Sequence, residues 1–362
     1  MGWMNNIRQR ALLAAIVELF GACTMEVDPE PMVGFQTTPL ELSVPDHFPA
    51  PILMESNPLT EEGVLLGKAL FFDPAISANR KVSCASCHIP SLAFSDGVAI
   101  PESGVSEKSL ERHSPVLFNL AWMGNGFFWD GGSKNLESQA FGPLTHADEM
   151  GMDMTELEHR LKMDQGYVEL FEAAFEDGIS SPNVVKALAQ FERTLISAGS
   201  KYDQSKQPEA GIALGEQELN GFTLVQNHCA VCHKGELFTD NRFHNNGLDS
   251  DFSDGGHELV LLGRYRISHD KKDMGAFKTP SLRNVMLSAP YMHDGRFNTI
   301  DEVLDHYSDG VQDVSTTSEL VYQREGRAGI ALSQSDKAAI KAFLHSLTDH
   351  DFVQDKSWPV TN

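Results

Sequence analysis

The pentapeptide CASCH, residues 84–88, recurs as CAVCH at residues 229–233, and the reading of this pair decides the fold. In Cys-x-x-Cys-His, two thiols can add to the vinyl groups of a porphyrin and pin one edge of the ring. The adjoining histidine is then carried beneath the iron as its proximal ligand. On this reading Cys84, Cys87, Cys229 and Cys232 attach two c-type haems, and His88 and His233 are iron ligands. A zinc site built from four thiolates, or a redox dithiol, uses the same cysteines but needs no histidine after the second of them. Here that histidine is present both times.

Working outward, the flanks repeat as well. LTEEGVLLGKALFF precedes the first motif and LGEQELNGFTLV the second, which aligns Gly67 with Gly221. After each motif comes an amphipathic helix, with Val184, Leu188, Phe191 and Leu195 on one face of the first and Ile340, Phe343, Leu344 and Leu347 on one face of the second. The fold class is mainly α: two cytochrome c-like helical domains, each with one haem, joined by long loops. The expected boundaries are 46–200 for the first haem domain, 201–213 for a polar linker, 214–350 for the second domain and 351–362 for a tail. Long connections such as 95–109 and 245–258, rich in Gly, Ser and Asp, are expected to wrap a cofactor.

At 362 residues the chain can bury a large core, and 41% hydrophobic with 22% charged residues is ordinary for a globular protein. A net charge of -23 argues against nucleic acid or an anionic membrane surface as partner, and favours a basic or neutral one. Arg8 and Arg10 precede the apolar run ALLAAIVELFGA and Cys23, a pattern that reads as an export signal over residues 1–23. Gly21-Ala22-Cys23 resembles a lipoprotein box, in which Cys23 carries lipid, and a plain cleaved signal is the alternative. Either way the expected location is the periplasm or cell envelope, with residues 24–45 as a flexible linker.

Within 289–307, APYMHDGRFNTIDEVLDHY, Thr299 and Glu302 form a capping box, so a helix is expected from Ile300. Ile300, Val303, Leu304 and Tyr307 share its apolar face, and His306 is turned toward the polar side. Helical phase leaves Tyr307 open between a core aromatic and a ligand.

The segments LGKALFFDP, CASCH, RHSPVLFN, FFWDGG, ESQAFGPL with DEM, CAVCH and GAFKTPSLRNVMLSAPYMHDG, in this order, resemble the bacterial di-haem cytochrome c peroxidases and the related MauG group over roughly residues 45–350. The resemblance implies that peroxide reacts at the first haem and that the second transfers electrons. It implies that Trp129 lies between them and that Glu149 is the distal acid–base group, with Gln139 and Pro143 shaping its pocket. A carboxylate over the iron can take the proton from the bound oxygen and return it to the leaving one. Calcium near the domain junction is also implied, on the backbone carbonyls of Ser288 and Pro290 and at His113, where relatives usually carry asparagine. Histidine suits that hard cation poorly.

Relatives that require reductive activation carry a histidine in the loop after the first haem motif. The loop 95–109 has none, so the first haem is expected to be five-coordinate and ready for peroxide. The second haem takes its distal ligand fourteen positions after the histidine of the P-Y-x-H-D-G motif, methionine in the peroxidases and tyrosine in the MauG group. Counted from His293 that position is Tyr307, which sets Met292, His293 and His306 aside. A phenolate stabilises the more oxidised iron, whereas methionine raises the potential.

The resulting expectation is a peroxide-reducing di-haem enzyme of the MauG-like branch. Its electrons come from a small cytochrome or copper protein, or from residues of a partner protein, such as tryptophan, that become modified. The resemblance also admits a homodimer. A non-enzymatic di-haem electron carrier explains the two motifs but not FFWDGG followed by an acid at Glu149.

Overall fold

The computed structural model describes residues 34–253 and 259–359. The expected export segment 1–23, with Cys23, and the first part of the expected linker lie outside the described residues. In the first half, helices run over α1 (Glu61–Phe72), α2 (Cys84–Cys87), α3 (Leu136–Thr145), α4 (Met154–Lys162), α5 (Gln165–Ala174) and α6 (Ser181–Arg193). The rest carries α7 (Lys201–Ser205), α8 (Glu216–His228), α9 (Tyr265–Ser268), α10 (Ile300–Asp305), α11 (Gln334–Ser346) and α12 (His350–Val353). The only sheet among the described residues pairs β1 (Phe243–His244) with β2 (Phe277–Lys278), antiparallel. The fold is therefore mainly α, as the periodicity predicts.

The repeat in sequence is a repeat in packing. In each half the helix before the haem motif crosses the amphipathic helix after it, α1 on α6 and α8 on α11. Gly67 and Gly221 sit at these crossings, where a Cβ would collide with the carbonyls of Ala187 and Ala339 respectively. Only glycine lets the two backbones approach this closely. The expected apolar faces are buried: Val184, Leu188, Phe191 and Leu195 join one core, and Ile340, Phe343, Leu344 and Leu347 another. Ser180 caps α6 and Ser333 caps α11, each accepting a backbone N–H that the first turn leaves unpaired.

The connecting segments are less independent than their composition suggests. The described residues from 37 onward form one compact unit. The linker expected over 24–45 is tied down in its last part, where Leu40 N–H donates to Leu59 O at 3.0 Å. The linker expected over 201–213 opens with α7, in which Tyr202 and Asp203 are buried. Asp203 accepts two hydrogen bonds of 2.8 Å from the fully buried Arg283 guanidinium and one of 2.8 Å from His47 Nε2. Nor is 351–362 a free tail: Val353 is buried in the first core and Phe352 and Trp358 pack against it. In both places a few apolar or ionic anchors outweigh a polar composition.

Candidate haem pockets and the cavity between them

Helix α8 ends where the second haem motif begins. Cys229 is its C-cap, and the tight turn that follows brings Cys232 and His233 to the same side, with His233 N–H donating to Cys229 O at 2.8 Å. The His233 Nδ1 lies 3.1 Å from Pro280 O and 3.3 Å from Phe238 O. Donation to those carbonyls puts the ring proton on Nδ1 and leaves the Nε2 lone pair for a metal. In the first half α2 carries Cys84 and Cys87, and His88 Nδ1 meets Phe94 O at 2.8 Å, the same arrangement. Burial pushes both imidazoles below their ordinary range, so both are neutral, as metal ligands must be. None of the four cysteines is in a disulfide. Two thiols and one oriented imidazole in each half fit a covalently bound haem.

A cavity opens beside Cys229, Cys232 and His233, walled by Val225, Ile340 and Leu344 and reaching Trp129 and Gln139 in the first half. Tyr307 lies on its wall. Helix α10 starts at Ile300 behind the Thr299–Glu302 capping box, as expected, but its last turn widens into a π-turn over His306–Gly310. Such turns re-aim side chains and gather at functional sites. Tyr307 Oη accepts from Asn246 Nδ2 at 3.3 Å, and burial pushes its phenol up to about 12. His306 does not face the polar side. It is buried, with Nε2 3.1 Å from Asn246 O, because the π-turn shifts its phase and the 245–247 loop covers it.

Met292 and His293 also border this cavity. His293 is 2% exposed and stacked on Phe277 at 3.6 Å between ring centroids, with neither ring nitrogen bonded to protein. Burial pushes its pKa down to about 4, so it is neutral. Asn246 had no marker in the sequence. It is one polar residue in a polar loop, and only the fold brings it against Tyr307.

Trp129 stands where the halves meet. Its Nε1 donates to His113 O at 2.8 Å, and its carbonyl accepts from Lys278 N–H of β2 at 2.8 Å. Gln139 and Pro143 lie on α3, and the buried Gln139 Oε1 has no protein partner. Glu149 follows α3 on a turn pinned from both sides: its N–H donates to His146 O at 3.0 Å, and its carbonyl accepts from Val105 N–H at 2.7 Å. The Val105 bond comes from the histidine-free loop 95–109. The Glu149 carboxylate lies 3.7 Å from His146 Nδ1; the thiols of Cys84 and Cys87 are pushed up mainly by burial, with a small addition from the Glu149 charge. That places the carboxylate on the side of the first haem motif. Glu192 of α6, also missed in the sequence, is a buried carboxyl raised to about 8 by burial, which keeps it protonated and neutral near pH 7.

His113, Ser288 and Pro290 border the same cavity, but the His113 ring is spent on the 95–98 loop, with Nδ1 2.8 Å from Val98 O and Nε2 3.4 Å from Ser95 Oγ. Asp96 lies 3.6 Å from the same Nδ1. No group of three or more His, Cys, Asp or Glu side chains suited to a metal ion occurs among the described residues. The His113 ring is therefore engaged with protein groups.

Comparison with known proteins agrees with this arrangement. The family profile described as di-haem cytochrome c peroxidase matches residues 61–210. The methylamine utilization protein MauG of Methylorubrum extorquens is 40% identical over 307 residues, covering 84% of this chain and 82% of that one. The cytochrome-c peroxidase IdrP2 of Denitromonas iodatirespirans is 33% identical over 313 residues, covering 79% and 81%. A crystal structure of a MauG-like protein associated with microbial copper homeostasis superposes with a TM-score of 0.79 at 32% identity, covering 88% of this chain and 99% of that one.

Proposed function

The chain belongs to the di-haem cytochrome c peroxidase family, and from that premise we propose that it is a peroxidase with a MauG-like ligand set. When bound, the two haems supply the redox chemistry, reducing hydrogen peroxide to water with two electrons. His88 holds the haem at which peroxide reacts, and His233 with Tyr307 holds the one through which electrons pass. Glu149 takes a proton from the incoming peroxide and returns it to the leaving oxygen. Gln139 and Pro143 shape the space in front of it, and Trp129 couples the halves through its bonds to His113 O and Lys278 N–H.

The observation that carries this reading is the difference between the surroundings of the two haem motifs. A hydrogen-bonded phenol shares a cavity with His233, whereas the loop packed on the Glu149 segment contains no histidine to close the first iron. Electron paramagnetic resonance of the ferric holoprotein as isolated tests it. One high-spin and one low-spin haem are expected, and two low-spin haems would refute it.

Similarity to a methylamine utilization protein favours a second reading of the same site, in which the oxidising equivalents pass to residues of a partner protein. A small cytochrome or copper protein is the donor in the first reading. The net charge of -23 calls for a basic or neutral docking face in either case. Export to the periplasm, with lipid on Cys23, completes the proposal. No helix among the described residues is long and apolar enough to cross a membrane. Calcium on the carbonyls of Ser288 and Pro290 belongs to the proposal as well, with the His113 ring committed to Val98 O. A homodimer is compatible with the reading but is not needed for it.

A further inference from the structure

Asn246 does more than hold Tyr307. Its Nδ2 donates to Tyr307 Oη at 3.3 Å and also to Met292 Sδ at 3.6 Å. One amide nitrogen thus holds a phenol and a thioether side by side on the wall of the cavity that contains Cys229, Cys232 and His233. We propose that Met292 is an alternative axial ligand of the His233 haem and exchanges with Tyr307 when that haem is reduced. The inference rests on the reading of Tyr307 as the ligand of the ferric state.

Three observations support it. Met292 has φ +76°, a left-handed backbone uncommon for a non-glycine residue, which fixes the direction in which its side chain leaves the turn. The turn that imposes it is closed by Tyr291 N–H to Phe297 O at 2.7 Å and by Gly295 N–H to Met292 O at 3.3 Å. A methionine serving only to fill space would not need an amide donor at its sulfur. Asn246 is itself held, since its carbonyl is bonded by the buried His306.

The chemistry supplies the direction. An anionic phenolate oxygen prefers ferric iron, and a soft thioether prefers ferrous. On reduction the iron gains one electron, the departing phenolate oxygen takes up one proton, and a lone pair of the Met292 sulfur forms the new bond. Oxidation reverses each change. The Asn246 amide can bond whichever side chain is off the metal, so neither need leave the cavity.

Holoprotein tests the exchange in two states. Resonance Raman of the ferric form is expected to show phenolate modes in both wild type and Met292→Leu, a nearly isosteric change that preserves packing. Proton NMR of the dithionite-reduced wild type is expected to show one three-proton singlet shifted upfield by the porphyrin ring current, the mark of an axial methionine. Met292→Leu should abolish that singlet. A reduced wild type without the singlet, or a variant that keeps it, overturns the exchange while leaving the Tyr307 reading intact. Absence of phenolate modes from the ferric form refutes the Tyr307 reading, and the exchange with it.

Discussion

Replacing Glu149 with Gln should slow the reaction with hydrogen peroxide by about 10²–10⁴-fold, the range for loss of a positioned acid–base group. Glutamine keeps the shape and polarity of the side chain but cannot accept and return a proton. The fold should not respond. The turn at 146–150 is held by backbone bonds to His146 O and Val105 N–H, and neither involves the carboxylate. The ferric spectrum and the thermal midpoint of the variant should therefore match wild type, with the loss confined to stopped-flow rates. Near-normal rates would show that the proton is handled elsewhere. Glu192, buried and raised to about 8, would then be the next residue to change.

The second large effect is on stability. Arg283→Ala should cost about 3–5 kcal/mol, measured by denaturant unfolding of the holoprotein, because it strands the Asp203 carboxylate in the interior. Arg283 is 1% exposed, donates two bonds to Asp203 and one from Nε to Glu236 O at 2.8 Å, and lies over the Phe48 ring at 4.6 Å. Changing both partners together, Arg283→Met with Asp203→Leu, should cost less than the single change, since no buried charge is then left unpaired. A loss below about 1 kcal/mol for Arg283→Ala, the range of an exposed pair, would contradict the role assigned to this ion pair.

The same pair gives a pH dependence of known sign. Burial alone would raise the Asp203 carboxyl, but the hydrogen bonds and charge of Arg283, with help from Ser200 and His47, outweigh it and hold the carboxyl below its ordinary range. Its contribution is therefore present above the unfolded value of about 3.9 and is lost as pH falls through the lower folded value.

Local signals in the sequence carried far. The two haem motifs, the apolar faces of α6 and α11 and the capping box at Thr299 are all set by neighbours within a turn or two. They could be read without the fold. What could not be read depends on residues far apart in the chain. Asp203 and Arg283 lie 80 positions apart in the chain, and the polar composition around Asp203 read as a linker. Phe352 and Trp358 return to the first core from the end of the second half, against the expectation of a tail. His306 was misread because its phase was counted along an ideal α-helix, whereas the backbone opens into a π-turn at that residue. Asn246, in a loop of polar residues, becomes informative only once Tyr307 and Met292 converge on it. The assignment of Tyr307 itself needed the family spacing, since helical phase alone left it open between a core aromatic and a ligand.

The central claim, an enzyme whose first haem is open to peroxide without prior reduction, is tested most directly by adding one equivalent of hydrogen peroxide to the fully ferric holoprotein. The account predicts an immediate change in the haem spectrum and its return on adding a small electron donor. An unchanged spectrum, with reactivity appearing only after one haem has been reduced, would contradict it.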